Sequence, residues 1–278
     1  MELTVLVDNN TLTDRYLLGE PGLALFLRDQ DHCTLFDCGY SGVLVANAGR
    51  LDIDLRRLDA VVLSHGHLDH TWGLSHLIAH YAGEALERRP AARPALFAHP
   101  DALAPRQADG LPIGPLLAVD ALAGFFDLRL TRQPVRLTDR LVFLGEIPKK
   151  HPGDATAPIG LRQTPSGPVP DTLPDDTALA WRGRDGLVVV TGCSHAGIRN
   201  IVDHARDVTG EKRVAAVVGG LHLLHAAPDK LAAVAAFLRE RGVAALYPCH
   251  CTDLAAKVAL AGAIPVHEVG VGLRLAFP

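Results

Sequence analysis

Three histidines and one aspartate lie within six positions, directly after a short apolar run: His65, His67, Asp69 and His70 in VVLSHGHLDHTWGL (61–74). Alternate side chains of an extended segment point the same way, so the first two histidines can hold one ion. The aspartate and the third histidine follow a bend and can face a second position. Neutral imidazole suits zinc, iron and manganese, and a carboxylate adds negative charge. The pattern predicts a metal site, and Gly66 is expected to let the backbone pass close to the metals.

Further histidines follow three apolar runs in the second half of the chain. They are His195 after GLVVVTG (186–192), His222 after VAAVVGG (214–220) and His250 after VAALYP (243–248). Helical periodicity between the runs predicts alternating strands and helices. Because the ends of such strands converge on one edge of a sheet, several histidines placed there predict an active site.

The elements that would position these residues change along the chain. Residues 1–80 contain short strand patterns, beginning with Leu3 to Val7, and residues from 177 onward alternate between strand and helix. Prolines recur between 81 and 175, and PSGPVPDTLPDD (165–176) is predicted to be a loop. This middle stretch is therefore expected to be rich in loops.

Composition excludes several classes of function. The 278 residues are 48% hydrophobic and 21% charged, with a net charge of -4 and no basic run, which argues against nucleic-acid binding. No apolar stretch approaches the ~20 residues of a membrane span. The first residues lack the order of a signal peptide. Five cysteines without a disulfide-like spacing are typical of reduced thiols. We expect a cytoplasmic protein that acts on a small molecule without nucleic-acid or membrane partners.

SHGHLDHTWGL resembles the H-x-H-x-D-H signature of the metallo-β-lactamase superfamily. The segments LFDCG, TGCSHAGIRNI, VVGGLHLL and YPCHC resemble those of one subgroup, often labelled 7,8-dihydropterin-6-methyl-4-(β-D-ribofuranosyl)aminobenzene-5′-phosphate synthase. The resemblance implies an α/β fold, an αββα sandwich with metals at one edge of two packed sheets. It also implies a single domain over 1–278 with a loop-rich insertion at the substrate pocket, about 81–175.

The resemblance also implies the metal ligands, residue by residue. The first metal would be held by His65, His67 and His195, and the second by Asp69, His70 and His250. Many relatives have a bridging aspartate in a Gly-Asp turn that this sequence lacks.

The corresponding places of this sequence carry Cys193 and His222. Either side chain could replace the bridge, or water alone could link the ions. Trp72 stands where glycine is common, and it is expected to narrow the mouth of the site.

Several polar residues near the motifs have two interpretations. Asp37 resembles a position that braces the histidine loop, and it could equally cap a turn. Cys249 and Cys251 flank His250, and we interpret both as packing residues because strand alternation would direct only the histidine to the ligands.

The other polar candidates are assigned to loops. Asp175 and Asp176 are interpreted as turn acids, and His99 and His151 as solvated histidines, with contact to the substrate as the alternative for each pair.

The chemistry that these residues favour is hydrolysis by a metal-activated water on an ester, phosphoester or lactone-type small molecule. Asp69 could take the proton. Two divalent ions are expected, zinc first, with iron or manganese as alternatives. Two other functions stay open: a dihydropterin-related synthase or iron-dependent redox enzyme, and a metal-stabilised sensor or binding protein without turnover.

Overall fold

The architecture consists of two large β-sheets that pack face to face, with helices on both outer faces. The structure is a computed structural model that describes residues 1–151 and 153–278. The first sheet contains, in spatial order, β17 (Arg274–Ala276), β1 (Glu2–Val7), β2 (Ala24–Asp29), β3 (His32–Phe36), β4 (Ala60–Val62), β5 (Ala95–Ala98) and β8 (Asp127–Leu130). The second contains β16 (Leu246–Cys249), β15 (Val214–Gly220), β14 (Gly186–Thr191), β13 (Ala178–Gly183), β10 (Leu141–Phe143) and β9 (Val135–Arg136).

The helices form the two outer layers. Those of the first half are α1 (Val43–Arg50), α2 (Leu68–Thr71), α3 (Gly73–Leu86) and α4 (Val119–Ala123). Those of the second half are α5 (Ile198–Thr209), α6 (Pro228–Glu240) and α7 (Leu254–Ala261). Helix α6 begins with Pro228, and Gly242 lies just beyond its C-cap, Arg241; both residue types are typical of those positions.

Strand β14 shows why these runs are continuously apolar. Val188 and Val190 pack in the core between the two sheets. Leu187 and Val189 point the other way, into the core beneath the helices of the second half. A strand that is covered on both faces needs apolar residues at every position. The αββα sandwich predicted from the sequence is confirmed.

Parallel pairing brings the ends of the ligand-bearing strands together. β3, β4 and β5 are parallel neighbours in the first sheet, and β14, β15 and β16 are parallel neighbours in the second. The segments that follow β4, β14 and β16, including helix α2 after β4, carry the predicted metal ligands, so these ligands meet at one edge of the sandwich.

The stretch 165–176 differs from its predicted loop. Strand β12 (Gly167–Pro170) pairs with β11 (Leu161–Thr164) in a third sheet, whose other members are β6 (Arg106–Ala108) and β7 (Leu111–Pro112). β12 is an edge strand, where a proline removes no hydrogen bond that the ladder needs. The predicted strand at 243–248 is likewise displaced, to Leu246–Cys249.

None of the helices in the described ranges has the length and apolar character that a membrane crossing requires.

The core between the sheets can be tested at Phe143, which is fully buried there. Phe143→Ala should lower the free energy of unfolding by about 3–5 kcal/mol because it leaves a cavity between the sheets. The matched control, Leu86→Ala, removes a side chain that is 86% exposed and should change stability by less than about 0.5 kcal/mol. Urea unfolding followed by circular dichroism measures both. Equal midpoints for the two variants would contradict the assigned core.

Candidate metal centre

Two sets of three metal-capable side chains lie at this edge of the sandwich. The ligand atoms of each set lie within 4.8 Å of one another. The first set is His65, His67 and His195, and the second is Asp69, His70 and His250. The structure thus brings together all six predicted ligands: His65 and His67 from the loop after β4, Asp69 and His70 from helix α2, and His195 and His250 from the loops after β14 and β16.

Short distances between ligand atoms mark both sets. His65 Nε2 lies 3.0 Å from His67 Nδ1. His70 Nε2 lies 3.2 Å from His250 Nε2, and His250 Nε2 lies 3.3 Å from Asp69 Oδ2. Such spacings suit atoms that surround a common ion.

Asp37 fixes how two of these imidazoles are oriented. Its fully buried carboxylate accepts hydrogen bonds from the Ser64 backbone N–H, the Ser64 hydroxyl and His70 Nδ1, each at 2.7 Å. Because the hydroxyl proton of Ser64 points to Asp37, His65 Nδ1 donates to Ser64 Oγ at 2.9 Å. The Nε2 atoms of His65 and His70 therefore face the centre of the cluster, as in carboxylate–histidine–metal arrangements. Asp37 braces the histidine loop in this structure, rather than only capping a turn.

Burial and neighbouring charges set the protonation of the histidines. Burial lowers the pKa of His67 to about 4, and it holds the pKa of His65 and of His195 well below the usual value. Burial also opposes the charge of His70, but the carboxylates of Asp37 and Asp69 outweigh it and raise the pKa to about 9. Three imidazoles are thus neutral and ready to bind a cation, while at His70 a cation competes with a proton.

Unpaired buried atoms support a bound cation. In the described part of the chain, His195 Nε2 and His222 Nδ1 are buried and have no hydrogen-bond partner. A buried polar atom without a partner is costly unless a ligand satisfies it. The residues present therefore fit a metal group.

Cys193 lies between the two sets. Its sulfur belongs to three groups of metal-capable atoms: with His65 and His70, with His195 and His222, and with His250 and Cys251. The ring centre of His222 lies 4.3 Å from that of His195. Both candidates for the place of the missing aspartate are thus part of the cluster.

The interpretation of Cys251 as a packing residue was wrong. Its sulfur lies in the cluster, where it accepts the His222 backbone N–H at 3.3 Å and lies 3.5 Å from the Cys193 carbonyl oxygen. The strand alternation that we applied ends at Cys249, because His250 adopts a left-handed φ of 54°. Cys249 is fully buried in the core between the sheets, as predicted.

Asp175 lies in a turn, as predicted, but neither Asp175 nor Asp176 is a surface residue. Both are buried, and each accepts a backbone N–H at 2.8 Å from a different ligand loop. Asp175 holds Gly66, and Asp176 holds Ala196, the residue after His195. Burial raises the pKa of Asp176 to about 7. The adjacent acids connect the two loops that supply the first set.

Sequence reasoning missed two further residues that support the ligands. Asp8 accepts the His250 backbone N–H at 2.8 Å. Arg106 is buried and forms ion pairs with Asp171 at 2.7 Å and Asp175 at 2.6 Å. Gly66 has no room for a side chain: a Cβ there would lie 1.9 Å from Arg106 Nη1 and 2.1 Å from the Ala102 carbonyl oxygen.

Three other candidates lie outside both sets. His99 is fully buried rather than solvated, and its Nε2 lies 3.3 Å from Glu146. His151 is half-buried and pairs with Asp203 at 2.9 Å. Trp72 stacks on a tyrosine at 5.0 Å and donates its indole N–H to a backbone carbonyl; its narrowing of the mouth stays a prediction.

Comparison with known proteins identifies relatives over most of the chain. Residues 17–250 match the profile of the family described as the metallo-beta-lactamase superfamily. A curated protein of Methanocaldococcus jannaschii, named 7,8-dihydropterin-6-methyl-4-(beta-D-ribofuranosyl)-aminobenzene-5'-phosphate synthase, is 31% identical over 235 residues, 80% of this chain and 76% of that protein.

Solved structures show the same fold. One is Tm1679, described as a metal-dependent hydrolase of the beta-lactamase superfamily, with a TM-score of 0.83 and 27% identity over 99% of this chain and 98% of that one. YhfI from Bacillus subtilis, a metallo-beta-lactamase fold protein, has a TM-score of 0.59 at 13% identity over 99% and 98% of the two chains. At that identity the likeness concerns the fold alone.

The role of Asp37 can be tested by Asp37→Asn, which keeps the shape of the side chain but removes its charge and one acceptor. Metal affinity should fall about 10–100-fold, since residues that orient metal ligands have effects of that size. Competition with a chromophoric chelator measures the affinity. Asp185→Asn is the matched control, because the Asp185 side chain is 60% exposed. Wild-type affinity in Asp37→Asn would contradict the assigned role.

Proposed function

Because this chain belongs to the metallo-beta-lactamase superfamily, we propose that it is a metal-dependent hydrolase of an ester, phosphoester or lactone-type small molecule. One observation carries the proposal: two donor sets of three lie beside each other, with Cys193 reaching both. Two divalent ions, zinc in the first instance, would supply a water of lowered pKa and polarise the substrate oxygen.

The number of donors supports a reactive centre over a structural one. Structural zinc sites are closed by four protein ligands, whereas catalytic sites keep a position open. The first set offers three imidazoles, and the Asp69 side chain of the second is 28% exposed. The cluster is therefore partly open to solvent at Asp69, which favours a catalytic metal position over a closed structural one.

Asp69 is the residue that we assign to handle the proton of the attacking water. Burial alone would raise the pKa of Asp69, but the charges of His70 and His250 hold it well below its usual range. The carboxylate is therefore ionised at neutral pH and can accept a hydrogen bond from water. Because its pKa is low, the Asp69 carboxylate is better suited to orient the water and pass its proton on than to retain that proton.

The likeness to Tm1679 supports hydrolysis, because that protein is described as a metal-dependent hydrolase and aligns over nearly the whole length of both chains. The 31% identity to the Methanocaldococcus jannaschii synthase supports a second candidate, a dihydropterin-related synthase activity with iron as the alternative metal. Both candidates use the same cluster, and they differ in metal content and product.

Metal content tests the assigned ligands. His67→Ala should lose at least one equivalent of bound metal, because it removes one of three donors in the first set. His250→Ala should weaken the second position more than the first. Elemental analysis after dialysis measures both. His151→Ala, which alters a histidine outside the sets, should keep the wild-type content. Full occupancy in His67→Ala would refute the ligand assignment.

Activity tests the reaction. The zinc-loaded protein should hydrolyse at least one member of a panel of activated esters, phosphoesters and lactones, and His67→Ala should abolish nearly all of that turnover. His151→Ala should keep it. The result that supports the synthase instead is an iron-loaded protein that hydrolyses nothing on the panel and forms a dihydropterin product. Rates are measured by chromatography of substrate and product.

A further inference from the structure

A buried network of ion pairs joins the third sheet to the ligand loop after β4. At its centre is Arg106 on β6, which is 3% exposed. Its guanidinium pairs with Asp171 at 2.7 Å and with Asp175 at 2.6 Å, and both carboxylates are fully buried. Asp175 in turn accepts the Gly66 backbone N–H at 2.8 Å. The third sheet therefore reaches the ligand loop through one arginine and one aspartate.

The surroundings of Arg106 require the shape of a guanidinium. Four oxygen atoms accept its hydrogen bonds at 2.7–3.4 Å, and a fifth, Asp175 Oδ1, pairs with it at 2.6 Å. The four are a carboxylate oxygen of Asp171 and the carbonyl oxygens of Asp101, Ala102 and Ala104. A guanidinium has five N–H groups in one rigid plane, whereas a lysine ammonium has three on a flexible stem. A lysine at position 106 could not hold all five oxygen atoms at once.

The same part of the chain also contacts α2, but by a different means. Ile113, which follows β7, accepts the Leu68 backbone N–H at 2.9 Å. Gly114 accepts the indole N–H of Trp72 at 2.8 Å. These contacts use backbone carbonyls and not the guanidinium. The contribution of Arg106 therefore falls on the loop of the first donor set and not on the helix of the second.

The charges of the network are balanced inside the protein. Arg162 Nε lies 3.6 Å from Asp171 Oδ1, so two guanidinium groups accompany the two buried carboxylates. Because buried charges lose their hydration, an ion pair of this kind adds little net stability, but the loss of one partner leaves an unpaired buried charge. The network therefore favours a single arrangement of its members more than it stabilises the fold.

We propose that Arg106 is a positioning residue of the metal centre. Through Asp175 it fixes the backbone of Gly66, and Gly66 lies between the two ligands His65 and His67. Arg106 thereby sets the spacing of these two imidazoles, which gives the predicted substrate-pocket insertion, about 81–175, a second role. The inference rests on the metal centre of the proposed function but not on its reaction.

Zinc affinity of the first donor set, measured by itself, tests this role. His250→Ala weakens the second position, so competition with a chromophoric chelator in that background reports the first. Asp175→Asn and Arg106→Lys should each bind zinc there about 10–100-fold more weakly, as expected when support of a ligand is lost. Circular dichroism checks that the variants are folded. The Asp175 variant, which keeps the shape of the side chain, decides the test if Arg106→Lys does not fold.

Asp171→Asn is the matched control for a general loss of stability. Asp171 is as buried as Asp175 and pairs with the same guanidinium. Asp171→Asn should lose clearly less zinc affinity than Asp175→Asn, because the guanidinium still holds Asp175. Equal losses in the two variants would overturn the proposal, and so would an unchanged affinity in Asp175→Asn.

The second donor set provides a readout that a purely structural role would not leave unchanged. In a His67→Ala background, which weakens the first position, Asp175→Asn should bind zinc at the second position as tightly as the background protein does. A loss of the same size at both positions would contradict selective positioning of the first set.

The two proposals can fail separately, because zinc affinity is measured without a substrate. A selective loss of first-set affinity in Asp175→Asn, together with no hydrolysis by the wild-type protein, supports the role of Arg106 and contradicts the proposed function. Hydrolysis by the wild-type protein, together with unchanged affinity in Asp175→Asn, does the reverse.

Discussion

The carboxylate of Asp37 is the interaction on which the geometry of the candidate metal centre depends. A fully buried charge is costly unless hydrogen bonds compensate it, and Asp37 receives three. Through His70 it reaches the second donor set directly, and through Ser64 and His65 it reaches the first. One group therefore sets the orientation of an imidazole in each set. The surrounding loops have to fold so that all of its donors arrive at the same point.

The chemistry-bearing residues could be predicted from the sequence, because their signal is local. HGHLDH places four donors after one strand, and each later histidine follows its own apolar run. The supporting residues carried no such signal. Three of these residues accept hydrogen bonds from backbone N–H groups: Asp8, Asp175 and Asp176. A backbone donor does not depend on the side chain, so no pattern of residue types in the sequence reveals it. Arg106 pairs with Asp171 and Asp175, which lie 65 or more positions away in the sequence. No helix or strand periodicity predicts a contact over such a separation.

Backbone conformation explains where strand reasoning failed. Asp37, Ser194, His222 and His250 adopt φ values of 59°, 64°, 49° and 54°. Each lies just beyond a strand that leads into the site. Left-handed backbone at residues other than glycine is uncommon and is held in place by the surrounding contacts. It ends the two-residue alternation, so that consecutive side chains such as His250 and Cys251 can face the same cluster.

The hydrogen bond from the His250 backbone to Asp8 joins residues 242 positions apart. During synthesis, the donors of residues 65–70 emerge long before His195 and His250. A nascent chain therefore presents only part of the first set until His195 has been made, and only part of the second until His250 has been made. Since domains generally fold as units, both donor sets are assembled only when residues from the two halves of the chain fold together. Binding of an ion by either set would therefore be coupled to long-range folding of the chain and not to one local segment.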